Sequence, residues 1–342
     1  MRSYSNHSAS DRSMSPPPSL SARLAASFFS RALSAFQSSG SKLQVICTAP
    51  PSLSHEGEPE ALPPRVRPQI LVVLDSSFNP PTRAHLHMAT SAIRELMQKQ
   101  GQCPGAIRLL LLLSVNNADK GVKPAAFDKR LAMMWAFAQD VQHDLRMSFG
   151  NRQAVPEAQG LSVDLGLATV PYFHEKSAAL AEAGFYKGQR DPDDDDLAET
   201  EQVFLVGYDT LVRIFNPKYY GPLETASQVA TAEPTPLQKA LDPFFGRAKL
   251  RVTMRADDKW GGANEQVAYL ENLLHAEGLN KVGGIRAWES RIEMADGYKA
   301  GTEVISSTYA RAAAKKRDLG RLDLMVTPRV RWWIEQENLY LE

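Results

Sequence analysis

The sequence has little cysteine, only short apolar runs and no excess of either charge. Two of its 342 residues, Cys47 and Cys103, are cysteines, too few for a disulfide framework or a four-cysteine zinc site. Apolar runs such as 70–74 and 109–113 are five residues long, whereas roughly 18–20 are needed to cross a bilayer. The 39 basic and 39 acidic residues balance, which excludes a basic surface spread over the whole fold. We therefore expect a soluble protein in a reducing compartment, without a membrane or nucleic-acid partner, in which any anion site is local.

The first 68 residues differ in composition from the rest of the chain. Residues 1–18 are rich in serine and include three consecutive prolines, which predicts disorder. Between residues 20 and 36, Leu and Phe recur every three or four positions, which predicts an amphipathic helix. Its arginines, serines and lack of acids also fit a mitochondrial transit peptide, but we favour a helix that docks on the domain. The protein is accordingly expected in the cytosol or nucleus. A short strand over 42–48 and a linker over 49–68 follow.

From residue 69 onward, apolar strands alternate with helical segments. This alternation predicts an α/β fold with a Rossmann-like, doubly wound parallel sheet covered by helices on both faces. The expected organisation is one domain over 69–342, preceded by the helix, strand and linker of 19–68 and by a disordered 1–18. The acidic stretch 191–196 is expected to be an exposed loop. Strands are predicted at 70–74, 107–114, 203–206, 250–254 and 281–286, and helices at 84–99, 127–141, 177–183, 265–276, 307–317 and 328–338.

A first motif lies where the strand at 70–74 ends. A tight turn of small polar residues follows it, and two prolines stiffen the entry into a helix that starts near Ala84. Free N–H groups and the helix dipole favour an anion there, and His85 can add a hydrogen bond or a positive charge. A capping or core role is the alternative for His85, and His87 is assigned only solvent or packing contacts. The candidate phosphate contacts in the turn are Ser76, Ser77, Phe78 and Asn79.

The stretch from Asp75 to His85 resembles a known element. It is similar to the G-S-F-N-P-P-H-x-G-H sequence of the nicotinamide mononucleotide adenylyltransferases, members of the nucleotidyltransferase superfamily. Thr82 stands where these enzymes usually have their first histidine. Relatives such as pantetheine-phosphate adenylyltransferase also have threonine at this position. Ala84 replaces a glycine and adds a methyl group where the family's backbone approaches the nucleotide.

A second motif lies near the C-terminus, where residues 304–311 read V-I-S-S-T-Y-A-R. Ser306, Ser307 and Thr308 are natural N-caps, so they predict another helix N-terminus that can face a phosphate. Arg311 lies on the same helical face as Thr308, and its planar fork suits polyphosphate oxygens. Alone, the string would be an ordinary cap with a surface arginine. It resembles, however, the I-S-S-T-x-x-R signature of the same family, whereas class I aminoacyl-tRNA synthetases and cytidylyltransferases carry other signatures here.

Weaker candidates lie between the two motifs. The strand at 203–206 ends in Gly-x-Asp, similar to the G-x-D of the family, although a glycine turn with a capping aspartate explains these residues equally well. Lys120 and Lys123 lie where the family often has a substrate loop with a lysine, and Arg130 resembles its R-x-x-M element, with a surface or packing role as the alternative for each. Arg255 ends the strand at 250–254 and is expected to line the same crevice. These weak candidates are Gly207, Asp209, Lys120, Lys123, Arg130 and Arg255.

The resemblance covers roughly residues 69–320 and implies a reaction. The phosphate of nicotinamide mononucleotide, or of nicotinic acid mononucleotide, would attack the α-phosphorus of ATP to give the dinucleotide and pyrophosphate, with Mg²⁺ and no metal held by the protein alone. His85 would act at the α-phosphate, helped weakly by Thr82, while Arg311, Ser307 and Thr308 hold the β- and γ-phosphates. The alternatives are a divergent ATP-binding or ATP-hydrolysing paralogue with a regulatory or quality-control role, and transfer to another phosphorylated acceptor. The partners expected are ATP and a mononucleotide, and a homo-oligomer is compatible with the sequence.

Overall fold

The computed structural model describes residues 22–51, 58–100, 104–115, 124–149, 160–188, 199–221, 233–254, 260–295 and 304–341. Their strands are β1 (Leu43–Ala49), β2 (Ile70–Asp75), β3 (Ile107–Ser114), β4 (Ser162–Ala168), β5 (Glu201–Gly207), β6 (Ala248–Thr253) and β7 (Ile292–Met294). They form one sheet in the order β1-β4-β3-β2-β5-β6-β7, in which β1 is antiparallel to β4 and all other neighbours are parallel. The predicted α/β fold is therefore confirmed.

Helices cover both faces of this sheet. They are α1 (Ala22–Ser39), α2 (Arg83–Gln100), α3 (Phe127–Phe149), α4 (Phe173–Ala183), α5 (Tyr208–Ile214), α6 (Pro236–Arg247), α7 (Ala263–Leu274), α8 (Ala276–Lys281), α9 (Ser307–Lys315), α10 (Leu319–Met325) and α11 (Pro328–Gln336). No helix in the described ranges is both long and apolar enough to span a bilayer.

The central strand β2 contributes to two apolar cores. Val72 and Leu74 join the core under α1, α2, α3 and α9–α11, whereas Leu71 and Val73 join the core under α4–α8. Strands buried on both faces read as continuous apolar runs, which is why β2 and β3 could be recognised from the sequence. The side chain that follows Leu74, that of Asp75, continues the alternation towards the α4–α8 side.

The order of the strands creates a crevice above β2. The chain passes from β2 to β3 on one side, and it later returns to place β5 on the other side. In open α/β sheets, such a switch point leaves a crevice at the carboxyl ends of the strands, and ligands bind there. The motif that follows β2 lies at this point.

The N-terminal segment is part of the same folded unit. Phe29 and Phe36 of α1 are buried in the core that α3 also lines, so the predicted docked helix is present. Strand β1 extends the main sheet as its antiparallel edge. The predicted boundary at residue 69 therefore does not separate two structural units within the described chain, since residues before it complete the sheet.

Some predicted elements are wrong or missing. Residues 281–286 are not a strand, because they end α8 and pass through a glycine turn in which Gly283 has φ 85°. Strand β4 escaped prediction because Asp164 and Gly166 are unfavourable strand residues. Helix α6 was missed because it contains Pro243. The predicted acidic loop 191–196 lies outside the described residues.

Candidate active site

A cavity of about 600 Å³ lies above the carboxyl ends of β2, β3, β5 and β6. Its walls come from the turn after β2, the first residues of α2, the start of α4, helix α5 with the turn after it, and the N-terminus of α9. The volume falls within the range of small-molecule sites in proteins. The candidate residues that line it are Ser76, Ser77, Asn79, Thr82, His85, Gly207, Asp209, Ser306, Ser307, Thr308 and Arg311.

The two motifs, some 230 residues apart in sequence, are in direct contact. Ser307 Oγ donates a hydrogen bond to the carbonyl of Pro80 over 2.8 Å. Arg311 Nη1 donates to the carbonyl of Asn79, also over 2.8 Å, and its Nη2 bonds Thr308 Oγ1 at 3.2 Å. Ser306 caps α9 by accepting from the N–H of Tyr309. The N-termini of α2 and α9 consequently open onto one cavity, where both helix dipoles favour an anion.

Hydrogen bonds fix the ring of His85. The backbone N–H of Thr82 lies 3.0 Å from Nδ1, and Thr82 Oγ1 lies 2.8 Å from the same atom. A backbone N–H can only donate, so Nδ1 is the acceptor and the proton of the neutral ring is on Nε2. Nε2 lies 3.0 Å from Ser76 Oγ in the cavity wall. The Nε2–H of His85 therefore donates to Ser76 Oγ in the cavity wall, and Thr82 holds the ring in place.

Phe78 supports the site from behind. Its side chain is fully buried and is not among the residues that line the cavity, so the phosphate contact at this position stays a prediction. The ring lies 5.5 Å from that of His85, centroid to centroid, and φ of 43° turns the backbone sharply at this position. Asn79 is also buried, and its Oδ1 accepts from Tyr340. Phe78 and Asn79 thus set the shape of the turn that carries Ser76 and Ser77.

Gly207 and Asp209 lie together in the cavity wall, at the end of β5 and in the first turn of α5. A Cβ at Gly207 would come within 2.9 Å of Asp209 Oδ1, so any larger residue would displace this carboxylate. Asp209 pairs with Arg213 at 3.7 Å, one turn further along α5. The carboxylate is therefore held in the cavity wall as a hydrogen-bond acceptor.

The remaining basic candidates are not part of the described site. Arg130 is buried; its Nε and Nη2 donate to the carbonyl of Ala125, and its guanidinium packs on the ring of Phe127. It is not among the residues that line the cavity, and its substrate contact stays a prediction. Lys120, Lys123 and Arg255 lie outside the described residues.

Several cavity residues were not recognised from the sequence. Tyr172 and Tyr219 form an aromatic wall with ring centroids 6.4 Å apart, and Asp75 forms a buried ion pair with Lys176. Tyr172 and Lys176 follow β4, so missing that strand concealed them. His87, expected only to pack, also lines the cavity.

Two histidines near the cavity have a lowered pKa. Burial lowers the pKa of His87, and the charges of Arg251 and Arg94 lower it further. Burial likewise lowers the pKa of His174, whose ring stacks on Tyr172 at 5.6 Å. Both imidazoles are therefore held in the neutral form at neutral pH.

The described residues contain no group of three or more His, Cys, Asp or Glu side chains arranged to hold a metal ion. A divalent cation at this cavity would need most of its ligands from a bound phosphate compound and from water, which is the usual mode for Mg²⁺.

Comparison with known proteins agrees with the resemblance that the motifs carry. No family model matches the chain. The chain is 32% identical over 203 residues to a putative nicotinamide mononucleotide adenylyltransferase of Schizosaccharomyces pombe, a match that covers 59% of this chain and 60% of that protein. It thus spans about three fifths of the curated relative's length. The predicted similarity to the nucleotidyltransferases is confirmed by this match.

Two solved structures of the Plasmodium falciparum nicotinic acid mononucleotide adenylyltransferase were also found, one complexed with NaAD and one with APC. Each is 14% identical and covers 80% of this chain and 100% of the other, with TM-scores of 0.39 and 0.40 respectively.

Proposed function

We propose that the protein transfers the adenylyl group of ATP to the phosphate of nicotinamide mononucleotide and releases pyrophosphate. The observation that carries this proposal is the contact between the two motifs, in which Arg311 and Ser307 bond the backbone of the turn after β2 beside His85. Two helix N-termini, an imidazole N–H and a guanidinium around one cavity suit a polyphosphate. The similarity to the curated adenylyltransferase supports the same chemistry.

In the proposed reaction, a phosphate oxygen of the mononucleotide forms a bond to the α-phosphorus of ATP. The bond from that phosphorus to the oxygen bridging the β-phosphate breaks, and pyrophosphate leaves with the electron pair. Catalysis of this kind depends on positioning and on stabilising the developing charge. His85 Nε2–H, which bonds Ser76 Oγ in the cavity wall, would exchange that bond for one to an α-phosphate oxygen, and Arg311 with the N-terminus of α9 would hold the β- and γ-phosphates.

Mg²⁺ would enter with ATP and neutralise part of the phosphate charge. This fits the described side chains, which provide no metal cage of their own. The acceptor would lie towards α4 and α5, where the rings of Tyr172 and Tyr219 offer flat apolar surfaces to its base.

Thr82, which stands where the family has its first histidine, supports His85. Thr82 holds Nδ1 through both its N–H and its hydroxyl group. This contact favours an active transferase over a paralogue that only binds or hydrolyses ATP.

The test is product formation. Purified protein is incubated with Mg²⁺, ATP and, in turn, nicotinamide mononucleotide, nicotinic acid mononucleotide, FMN, phosphopantetheine or no acceptor, and the products are separated by chromatography. We expect NAD and pyrophosphate in equal amounts.

His85→Ala should lower kcat about 100-fold or more, because it removes a donor to the transferring phosphate. His143→Ala, a change at an exposed histidine of α3, is the matched control. Hydrolysis of ATP without an adenylylated product would instead indicate the paralogue.

A further inference from the structure

The cavity wall contains a buried ion pair that the proposed reaction does not use. Asp75 is the last residue of β2, and Lys176 lies on the first turns of α4. Their side chains are only 8% and 4% exposed, and the ammonium contacts Asp75 Oδ2. Both residues line the cavity. Replacing a buried ion pair by apolar side chains is often neutral or stabilising, so fold stability alone does not account for this pair.

The pair retains the capacity to bond a ligand. The second oxygen of Asp75 accepts from Ser114 Oγ only over a long 3.4 Å contact. The Lys176 ammonium has three donors, and besides Asp75 it lies over the ring of Phe173, 5.2 Å from its centroid. Together the two side chains offer a cavity ligand one anionic acceptor and one cationic donor, with no net charge.

The pair lies towards the aromatic end of the cavity. Asp75 continues the face of β2 that is covered by α4–α8, opposite to the face covered by α2 and α9. Lys176 lies one helical turn from Tyr172, which forms the aromatic wall with Tyr219. Ser76, directly after Asp75, contacts His85 at the phosphate end. An acceptor whose phosphate is near His85 therefore has its base within the part of the cavity that contains the pair.

We propose that Asp75 and Lys176 select an acceptor base that carries a carboxamide and reject one that carries a carboxylate. An amide is complementary to the pair, because its NH₂ group donates to Asp75 and its carbonyl oxygen accepts from Lys176. A carboxylate would face the like charge of Asp75 or displace it from Lys176, leaving one anion buried without a partner. This inference rests on the proposed function, and it names nicotinamide mononucleotide as the preferred acceptor.

The test compares kcat/KM for nicotinamide mononucleotide and nicotinic acid mononucleotide, measured by pyrophosphate release from Mg²⁺-ATP. We expect the wild-type protein to prefer the amide by roughly tenfold or more, since like charges placed together are strongly unfavourable. Asp75→Asn removes the negative charge and should shift the ratio towards the acid by a similar factor. Lys176→Gln keeps Asp75 charged and should shift the ratio the other way. The matched control is Glu201→Gln, which alters an ion pair of β5 at the opposite end of the strands.

Opposite shifts in the two variants would not arise from a purely structural role, which would lower both rates together. A wild-type preference for the acid, or an unchanged ratio in Asp75→Asn while both acceptors react, would overturn the inference and leave the proposed function intact. Absence of any dinucleotide from the wild-type protein would overturn both. Where one variant fails to fold, a wild-type preference for the acid still overturns the inference, and the shift in the other variant still tests it.

Discussion

Thr82 and His85 work as one hydrogen-bonded unit at the residue scale. The hydroxyl and the N–H of Thr82 both approach Nδ1, and this arrangement directs the Nε2 proton towards Ser76 Oγ in the cavity wall. A histidine at position 82 could contact the phosphate directly, whereas Thr82 is almost fully buried and acts through its neighbour. Compared with the adenylyltransferase sequence that this turn resembles, Thr82 therefore changes how His85 is held.

Thr82→Val should lower kcat/KM for adenylyl transfer about three- to tenfold. The substitution removes the hydroxyl but keeps the backbone N–H, so about 1 kcal/mol of orientation is lost. Thr82→Ser, which keeps the hydroxyl group, should retain most of the activity. The measurement is initial rates of dinucleotide formation, and full activity in the valine variant would show that the N–H alone orients the ring.

Local signals explain which site residues could be predicted. Ser306, Ser307 and Arg311 belong to a short string with N-cap residues before a helix, and His85 follows a strand end and two prolines. Lys176 carries no such signal, because its position in the cavity depends on the packing of α4 against the end of β2. For Phe78, the sequence shows that it belongs to the turn but not that its ring is buried.

At the scale of elements, β4 is held by a buried polar cluster near its start. Arg108 of β3 bonds both carboxylate oxygens of Asp164, at 2.9 and 2.6 Å. Thr48 of β1 and Tyr186 also donate to this carboxylate, and Arg108 bonds the carbonyl of Leu62. Burial raises the pKa of Asp164, whereas Arg108, Thr48 and Tyr186 act to lower it by stabilising the carboxylate. The cluster joins three strands and the segment between β1 and β2.

Arg108→Met should lower the free energy of unfolding by about 3–5 kcal/mol, because it leaves the Asp164 carboxylate buried without its cation. The double variant Arg108→Met, Asp164→Leu should recover much of the loss, since neither charge remains. Arg31→Met breaks a pair whose side chains are both about 60% exposed and should change stability by less than about 1 kcal/mol. Urea denaturation measures all three, and a double variant as unstable as the single one would contradict the account.

The same cluster explains the limits of fold prediction from sequence. Strands β2 and β3 are uninterrupted apolar runs and were recognised, as was the helix α3 that starts at Phe127. In β4, Asp164 breaks the apolar pattern, and only its partners from other strands make it a stable strand residue. Elements stabilised by distant side chains cannot be identified from their own residues.

At the scale of the whole molecule, two histidines near the cavity make the stability of the fold depend on pH. His87 and His174 have pKa values lowered by burial, so the folded protein binds their protons more weakly than the unfolded chain, in which the pKa is about 6.5. Their stabilising contribution is complete above about pH 6.5 and is lost as the pH falls below it. Asp140 and Asp164 have the opposite effect on the pH dependence of stability. Burial raises their pKa values, so the folded protein binds their protons more tightly than the unfolded chain does.

We therefore expect His174→Phe to be less sensitive to acid than the wild-type protein. The variant keeps an aromatic ring against Tyr172 but cannot take up a proton. Thermal unfolding is measured from pH 7.5 to 5.5, and the difference in melting temperature between variant and wild type should grow in favour of the variant as the pH falls. Replacement of the exposed His143 by Phe serves as the reference, and parallel curves for His174→Phe and the wild type would contradict the assignment.

The contact between Arg311 and the carbonyl of Asn79 also has a consequence for biosynthesis. A ribosome makes the turn after β2 early, but the cation and the second helix N-terminus that face it are added only after some 230 further residues. During that interval the nascent chain has only one of the two helix N-termini that face the cavity. The cavity is therefore complete only when residues from both parts of the chain have folded together.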